Sequence, residues 1–170
     1  MKRYYLFIAL AIFMLVLDQV VKLWVMQAIP RGGSIHGLPL PGFFELTLQY
    51  NKGIAFGFLQ GQGKLLSPIA IAIAGGTGWY SFKHPKEPVL THIAMALLAA
   101  GALGNLIDRI FRDQVTDMFW FRKINFPVFN VADSCITVAT IFLILTWFSV
   151  SEQTKKPQPA IAETPTPGTE

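Results

Sequence analysis

Two aspartates are the residues of this chain best placed to do chemistry: Asp117 in VTDMF and Asp133 in FNVAD. Asp133 stands at the head of an almost purely apolar run, and a carboxylate at the mouth of a membrane helix is costly unless it has a partner or a task. Two carboxylates on one side of adjacent helices can share a proton. Their repulsion raises one pKa and leaves an acid and a base at neutral pH. Such a pair can activate water and protonate a leaving amine, which is peptide hydrolysis. Each aspartate also has a plainer reading. Asp117 is a solvated loop residue, although Val115, Met118, Phe119 and Trp120 press its segment toward the membrane or the bundle. Asp133 is a helix cap, a task Ser134 could also take.

The elements that must position these residues are four nearly uncharged runs, Tyr4–Met26, Leu65–Phe82, Val89–Ile107 and Val131–Val150. The chain of 170 residues is 52% hydrophobic and 14% charged, with a mean hydropathy of +0.46. A bilayer core needs roughly 20 helical residues to cross it, and the glycines and alanines suit close helix contact in lipid. The sequence therefore predicts an all-α membrane protein. Its four-transmembrane-helix bundle has helices at about 4–26, 65–82, 89–109 and 131–150, in one domain over 1–150. The basic, apolar start imitates a signal peptide, but no small-residue cleavage site closes it, so it reads as a retained first span. Segments 27–64 and 110–130 lie outside the bilayer. IPRGGSIHGLPLPGFF is turn-rich, Glu45–Tyr50 reads as a strand, and Asn51–Gly53 supplies a turn, giving a small β-rich ribbon. Trp24, Phe43, Phe44, Phe56 and Phe58 suit the interface. The tail 151–170, rich in Pro, Thr and Glu, reads as disordered.

Several chemistries are excluded. The charge of +4 comes with no basic stripe interleaved with aromatics, so nucleic acid is not a partner. Cys135, the single cysteine, rules out a disulfide framework and a cysteine zinc cluster and reads as a packing residue. His84 and His92 lie roughly 20 Å from Ser134 if the third helix spans, and His36 has no motif around it. No HExxH, phosphate loop or dinucleotide fingerprint occurs, so no metal or cofactor is expected.

Parity of the four crossings gathers the unusual polar residues on one side. They are Asp18, Lys22, the Asn51 loop, Asn105, Asp108, Arg109, Asp117, Asn130 and Asp133. Asn105, Asp108 and Arg109 share one helix face, beside Gly101 and Gly104, which admit a neighbouring backbone. Asp108 and Arg109 read either as a helix-end ion pair or as a network that positions something else. Asp18 and Lys22, four apart, read as a local salt bridge or as part of the site. Asn51 fits its turn for backbone reasons, and Lys52 faces solvent or the interface. Lys and Arg are spread six to eight between the two sides, so their count does not orient the protein. The basic start favours cytoplasmic termini.

In order, DQVVK at 18–22, NKGIAFG at 51–57, GNLIDR at 104–109, VTDMF at 115–119 and FNVAD at 129–133 resemble the lipoprotein signal peptidase, or signal peptidase II, family. The resemblance implies a bacterial inner-membrane aspartyl endopeptidase. Such an enzyme removes the signal peptide of diacylglyceryl-modified prolipoproteins immediately before the lipid-bearing cysteine. It implies Asp117 and Asp133 as the catalytic pair, with Asp18, Lys22, Asn51, Gly53, Asn105, Asp108, Arg109, Asn130 and Ala132 lining or bracing the pocket. It also implies inhibition by the cyclic peptide globomycin, cytoplasmic termini and an extracytoplasmic active site. Nothing in the sequence requires a dimer, so a monomer is expected. Met118 stands where the family has an aromatic, and Asp113 is an extra surface carboxylate. A transporter or lipid-binding module is the alternative from another class, with the aspartates as proton or ion carriers. An inactive structural protein is a third.

Overall fold

The computed structural model describes residues 2–40, 42–53 and 66–155, with the backbone alone at 36–39 and 149–155. Four helices form where the apolar runs fall: α1 (Lys2–Ala28), α2 (Ser67–Lys83), α3 (Val89–Arg112) and α4 (Val131–Lys155). Among the described residues, α1, α3 and the 131–148 part of α4 are long and apolar enough to cross a membrane. Helix α2 has 17 residues, or about 25 Å at the helical rise, the lower limit of a span. Helix α4 runs five residues into the segment expected to be disordered. Phe56, Phe58, Lys64, Leu65 and residues 156–170 lie outside the described residues.

Helix α3 is the axis of the bundle. Ala94, Ala96, Ala99, Ala100, Gly101, Ala102 and Gly104 are all buried along it, and these small side chains let α1, α2 and α4 approach closely. The outer faces of α1 and α4 are exposed and apolar, with Ile12, Phe13, Val16 and Val20 on one and Ile141, Ile144 and Trp147 on the other. Apolar surface of that extent needs a cover, and lipid supplies it.

The tightest contacts of α3 are with α4 and with α1. A Cβ placed on Gly101 would come within 2.5 Å of the Ala132 carbonyl oxygen, and one on Gly104 within 2.6 Å of Asp18 Oδ2. Gly101→Ala must therefore displace the start of α4, at a cost of about 1–3 kcal/mol, with loss of activity because Asp133 rides on that turn. Gly75 and Gly76 on α2 face open space. Thermal unfolding in micelles should show Gly101→Ala destabilised and Gly76→Ala unchanged. Equal melting temperatures for the two would refute this packing account.

The β-rich ribbon is larger than the sequence suggests. Strands β1 (Ser34–Leu40), β2 (Phe44–Asn51) and β3 (Val115–Trp120) form one antiparallel sheet in the order β1-β2-β3. The turn-rich 34–40 segment pairs as an edge strand, where Pro39 is tolerated because an edge needs no donor on its outer side. Residues 115–120, expected to be loop, form β3: Gln49 pairs with Asp117 and Tyr50 with Thr116. Both faces of β3 are buried at its start, so the alternation that marks a half-buried strand is missing there. Met118 is fully buried against Val25, Ile29 and Leu48, locking the sheet to the end of α1.

Candidate active site

Strand β3 and the start of α4 are clipped together by backbone bonds. Met118 N and Phe119 N donate to the Phe129 carbonyl at 3.0 and 2.8 Å, and Phe129 N donates back to Phe119 at 3.0 Å. Asn130 therefore lies beside Asp117, and its Nδ2 donates to Asp117 Oδ1 at 2.7 Å. Asn130 is also the N-cap of α4. Its Oδ1 accepts from Asp133 N at 2.9 Å, and its own N donates to Asp133 Oδ2 at 3.2 Å. This is a capping box with Asp133 in the third position, so Asp133 takes part in a cap while facing the site. Ser134 takes no part in that box, as its hydroxyl donates to the Asn130 carbonyl at 3.0 Å.

Asn105 joins the second aspartate to the same network. Its Nδ2 donates to Asp133 Oδ1 at 2.8 Å, and its Oδ1 accepts from Asn130 Nδ2 and Lys22 Nζ, both at 3.1 Å. Both Asp133 oxygens thus accept N–H groups, as a carboxylate does. Asp117 is held differently. Burial, followed by the charge of Asp133, pushes its pKa up from the ordinary 3.8 to about 7, against the pull of hydrogen bonds from Asn130 and Asn51. Asn51 closes its turn by accepting Gly53 N at 2.9 Å.

Arg109 reaches across this group, with Nη1 donating to the Asn105 carbonyl and Nη2 to the Gly53 carbonyl, each at 3.4 Å. Its Nε is buried with no hydrogen-bond partner among the described residues. Beneath lies a buried ionic base. Lys22 Nζ is 2.9 Å from Asp18 and 3.1 Å from Asp108, and all three side chains are at most 1% exposed. Arg112 also pairs with Asp108, so two cations meet two anions. Asp18 Oδ1 accepts from Ala132 N at 2.9 Å, and Asp108 Oδ2 accepts from Thr116 N at 2.9 Å. The base thereby holds one backbone N–H beside each aspartate of the pair.

Every residue singled out from the sequence for the site falls in this connected group. Reasoning from sequence missed Arg112, Gln19 and Thr116. Arg112 carried a signal, four residues after Asp108 on one helix face; it also holds Gln19 Oε1 at 3.1 Å. Thr116 acts through its backbone and carried none. Asp108 is tied to Lys22 and Arg112, which favours the network reading over a simple helix-end pair. Cys135 is buried against Leu97 and Ala139, as a packing residue would be. His92 is buried against Ser81, Nδ1 to Oγ at 2.7 Å, at the far end of α3. Among the described residues, no cluster of His, Cys, Asp and Glu could hold a metal ion.

A membrane-spanning helical bundle that delivers paired aspartates to one end falls in the class of membrane aspartic endopeptidases. Residues 10–149 match the family model of signal peptidase (SPase) II, and the chain belongs to that family. It is 38% identical over 145 residues to a lipoprotein signal peptidase of Streptococcus pneumoniae, covering 85% of this chain and 94% of the relative. It is 41% identical over 146 residues to one of Tolumonas auensis, covering 82% and 87%. A solved bacterial membrane enzyme superposes with a TM-score of 0.81 at 30% identity, covering 89% of this chain and 93% of that one. A second gives 0.73 at 32% identity, covering 83% and 91%. The protein is thus a multi-pass inner-membrane peptidase that processes the signal peptides of prolipoproteins.

Proposed function

We propose that Asp117 and Asp133 are the catalytic dyad, and that cleavage falls immediately before the diacylglyceryl-modified cysteine. The observation that carries this is the Asn105–Asn130 amide pair, which bonds both carboxylates and holds them in one network. With its pKa raised to about 7, mainly by burial, Asp117 is the member suited to hold a proton near neutral pH. Asp133 takes a proton from water as the water oxygen attacks the scissile carbonyl carbon, while Asp117 gives its proton to the carbonyl oxygen. The tetrahedral diol then collapses. Asp133 passes its proton to the departing nitrogen, the C–N bond breaks, and a diol hydroxyl returns a proton to Asp117. Both carboxyls end as they began. Arg109 balances charge across the pair, and Lys22, Asp18, Asp108 and Ala132 brace it from below. Asn51 and Gly53 shape the rim.

The dyad works at the extracytoplasmic face, with both termini cytoplasmic, on a monomer. The substrate's acyl chains stay in lipid while its peptide passes under the ribbon. Globomycin competes for that cleft. A proton carrier is disfavoured, because α3 holds no ionisable residue between His92 and Asp108 and a relay needs groups along its path.

The test is cleavage by purified protein of a prolipoprotein with and without its diacylglyceryl group. The expected result is cleavage of the lipidated form alone, before the modified cysteine, and its inhibition by globomycin. Equal cleavage of the bare peptide would overturn the substrate assignment.

A further inference from the structure

The end of the bundle opposite the aspartates carries a different feature. A shallow depression open to solvent, of about 410 Å³, is lined by Lys2, Arg3, Pro85 and Lys86. Three of the four lining residues are cations. Glu87, the nearby carboxylate, is not among them; it faces Tyr80 and His92. Arg3 is fixed in place, its Nη1 donating to the carbonyls of Lys86, at 2.9 Å, and of Glu87. Nε and Nη2 of Arg3 make no hydrogen bond among the described residues. The N-terminus of α1 is thereby tied to the α2–α3 turn, and the depression lies between them.

Its depth is marked by aromatic rings. Tyr4 and Tyr5 follow the basic pair on α1, while Trp79 and Phe82 precede Lys83 on α2. Tyr5, Trp79 and Phe82 are all more than half exposed, and Tyr4 packs edge-on to Phe82 at 5.3 Å. Tyr and Trp exposed on membrane helices sit at the headgroup level. The depression lies just beyond them, and by that rule its depth is that of the lipid phosphates. Cations gathered between helices at this depth are what an anionic headgroup requires.

We propose that this depression binds the phosphate of an anionic phospholipid, with Lys2 and Lys86 as its charge partners and Arg3 as its fixed wall. The lipid would clasp α1 to the α2–α3 turn, far from the aspartates, and the inference does not depend on the proposed dyad.

The experiment measures lipid binding to the full chain in micelles, by thermal stabilisation and by native mass spectrometry. Phosphatidylglycerol is compared with phosphatidylcholine of the same acyl chains and with inorganic phosphate. Phosphatidylglycerol should raise the melting temperature and remain bound where phosphatidylcholine does not. The double variant Lys2→Gln/Lys86→Gln should weaken that binding by about ten-fold or more, and Lys2→Arg/Lys86→Arg should restore it. Lys123→Gln, on the sheet side, should change nothing. An equal response to phosphatidylcholine, unchanged affinity in the Gln pair, or loss in the Arg pair would each overturn the proposal. Stabilisation by inorganic phosphate equal to that by the lipid would overturn it in favour of a free-anion site.

Discussion

Asp117→Asn is expected to lower kcat/KM for a lipidated prolipoprotein by at least about 10³-fold, some 4 kcal/mol of transition-state stabilisation, while leaving the fold intact. Asparagine keeps the shape and the oxygen that accepts from Asn130 Nδ2, but it cannot give up or regain a proton. The stability of the same variant separates a catalytic role from a structural one. Wild-type Asp117 is raised from 3.8 to about 7, so between those values the folded protein holds a proton that the unfolded chain releases. Stability therefore falls as pH rises through that window and levels off above about 7. Holding Asp117 ionised in the fold costs on the order of 4 kcal/mol. The variant has no such proton, so relative to wild type it should gain stability from pH 5 to pH 8. Asp133→Asn should also lose cleavage, but without that gain. Its new Nδ2 must face one of the two donors that Asp133 now accepts, Asn105 Nδ2 or Asn130 N, which costs about 1 kcal/mol of cap and network. Normal turnover by either variant would sink the dyad. A dead Asp117→Asn that is also less stable than wild type at pH 8 would mark Asp117 as structural.

That both aspartates can be tested this way reflects how much of the site was legible beforehand. The spans were readable because lipid leaves a helix few ways to be polar, and the parity of crossings then brought the conspicuous polar residues to one face. That some backbone approaches α3 closely was readable from Gly101 and Gly104, but not that it would be α4 at Gly101 and α1 at Gly104. The ribbon was read only in part. Strand β2 alternates well enough to be seen, whereas β3 is buried on both sides at its start and offers no alternation. Residues 34–40 look like a turn, and only pairing with β2 makes them a strand. The clip between Phe119 and Phe129, which brings Asn130 to Asp117, is made entirely by backbone and leaves no trace in side-chain types. The double duty of Asp133 was equally hidden. Cap and site looked like rival readings, but a capping box leaves the carboxylate one oxygen for the backbone and one for Asn105.

Lys22→Met is expected to be the most destabilising single change in the protein, at about 3–5 kcal/mol. Methionine matches the apolar stem of lysine and fills its space, so packing is largely preserved and the effect isolates the charge. Lys22 is fully buried between Asp18 and Asp108. Without it, Asp108 keeps Arg112 and the Thr116 N–H. Among the described residues, Asp18 keeps only Ala132 N and the Gln19 amide, at 2.9 and 3.0 Å. An anion deprived of its counter-charge in a buried site is far costlier than an absent ion pair, because its desolvation is no longer offset. The double variant Asp18→Asn/Lys22→Met removes both members and should therefore recover much of the loss. A double-mutant cycle on unfolding in micelles should return a coupling of about 1–3 kcal/mol. The two variants also differ for the site. Lys22 donates to Asn105 Oδ1, so both lose that anchor, while only the single variant keeps an unpaired anion near the dyad. Cleavage should accordingly recover less than stability does in the double variant. If Lys22→Met unfolds within 1 kcal/mol of wild type, the buried base does not hold the bundle's end together, and the bracing role given to Asp18 and Asp108 falls with it.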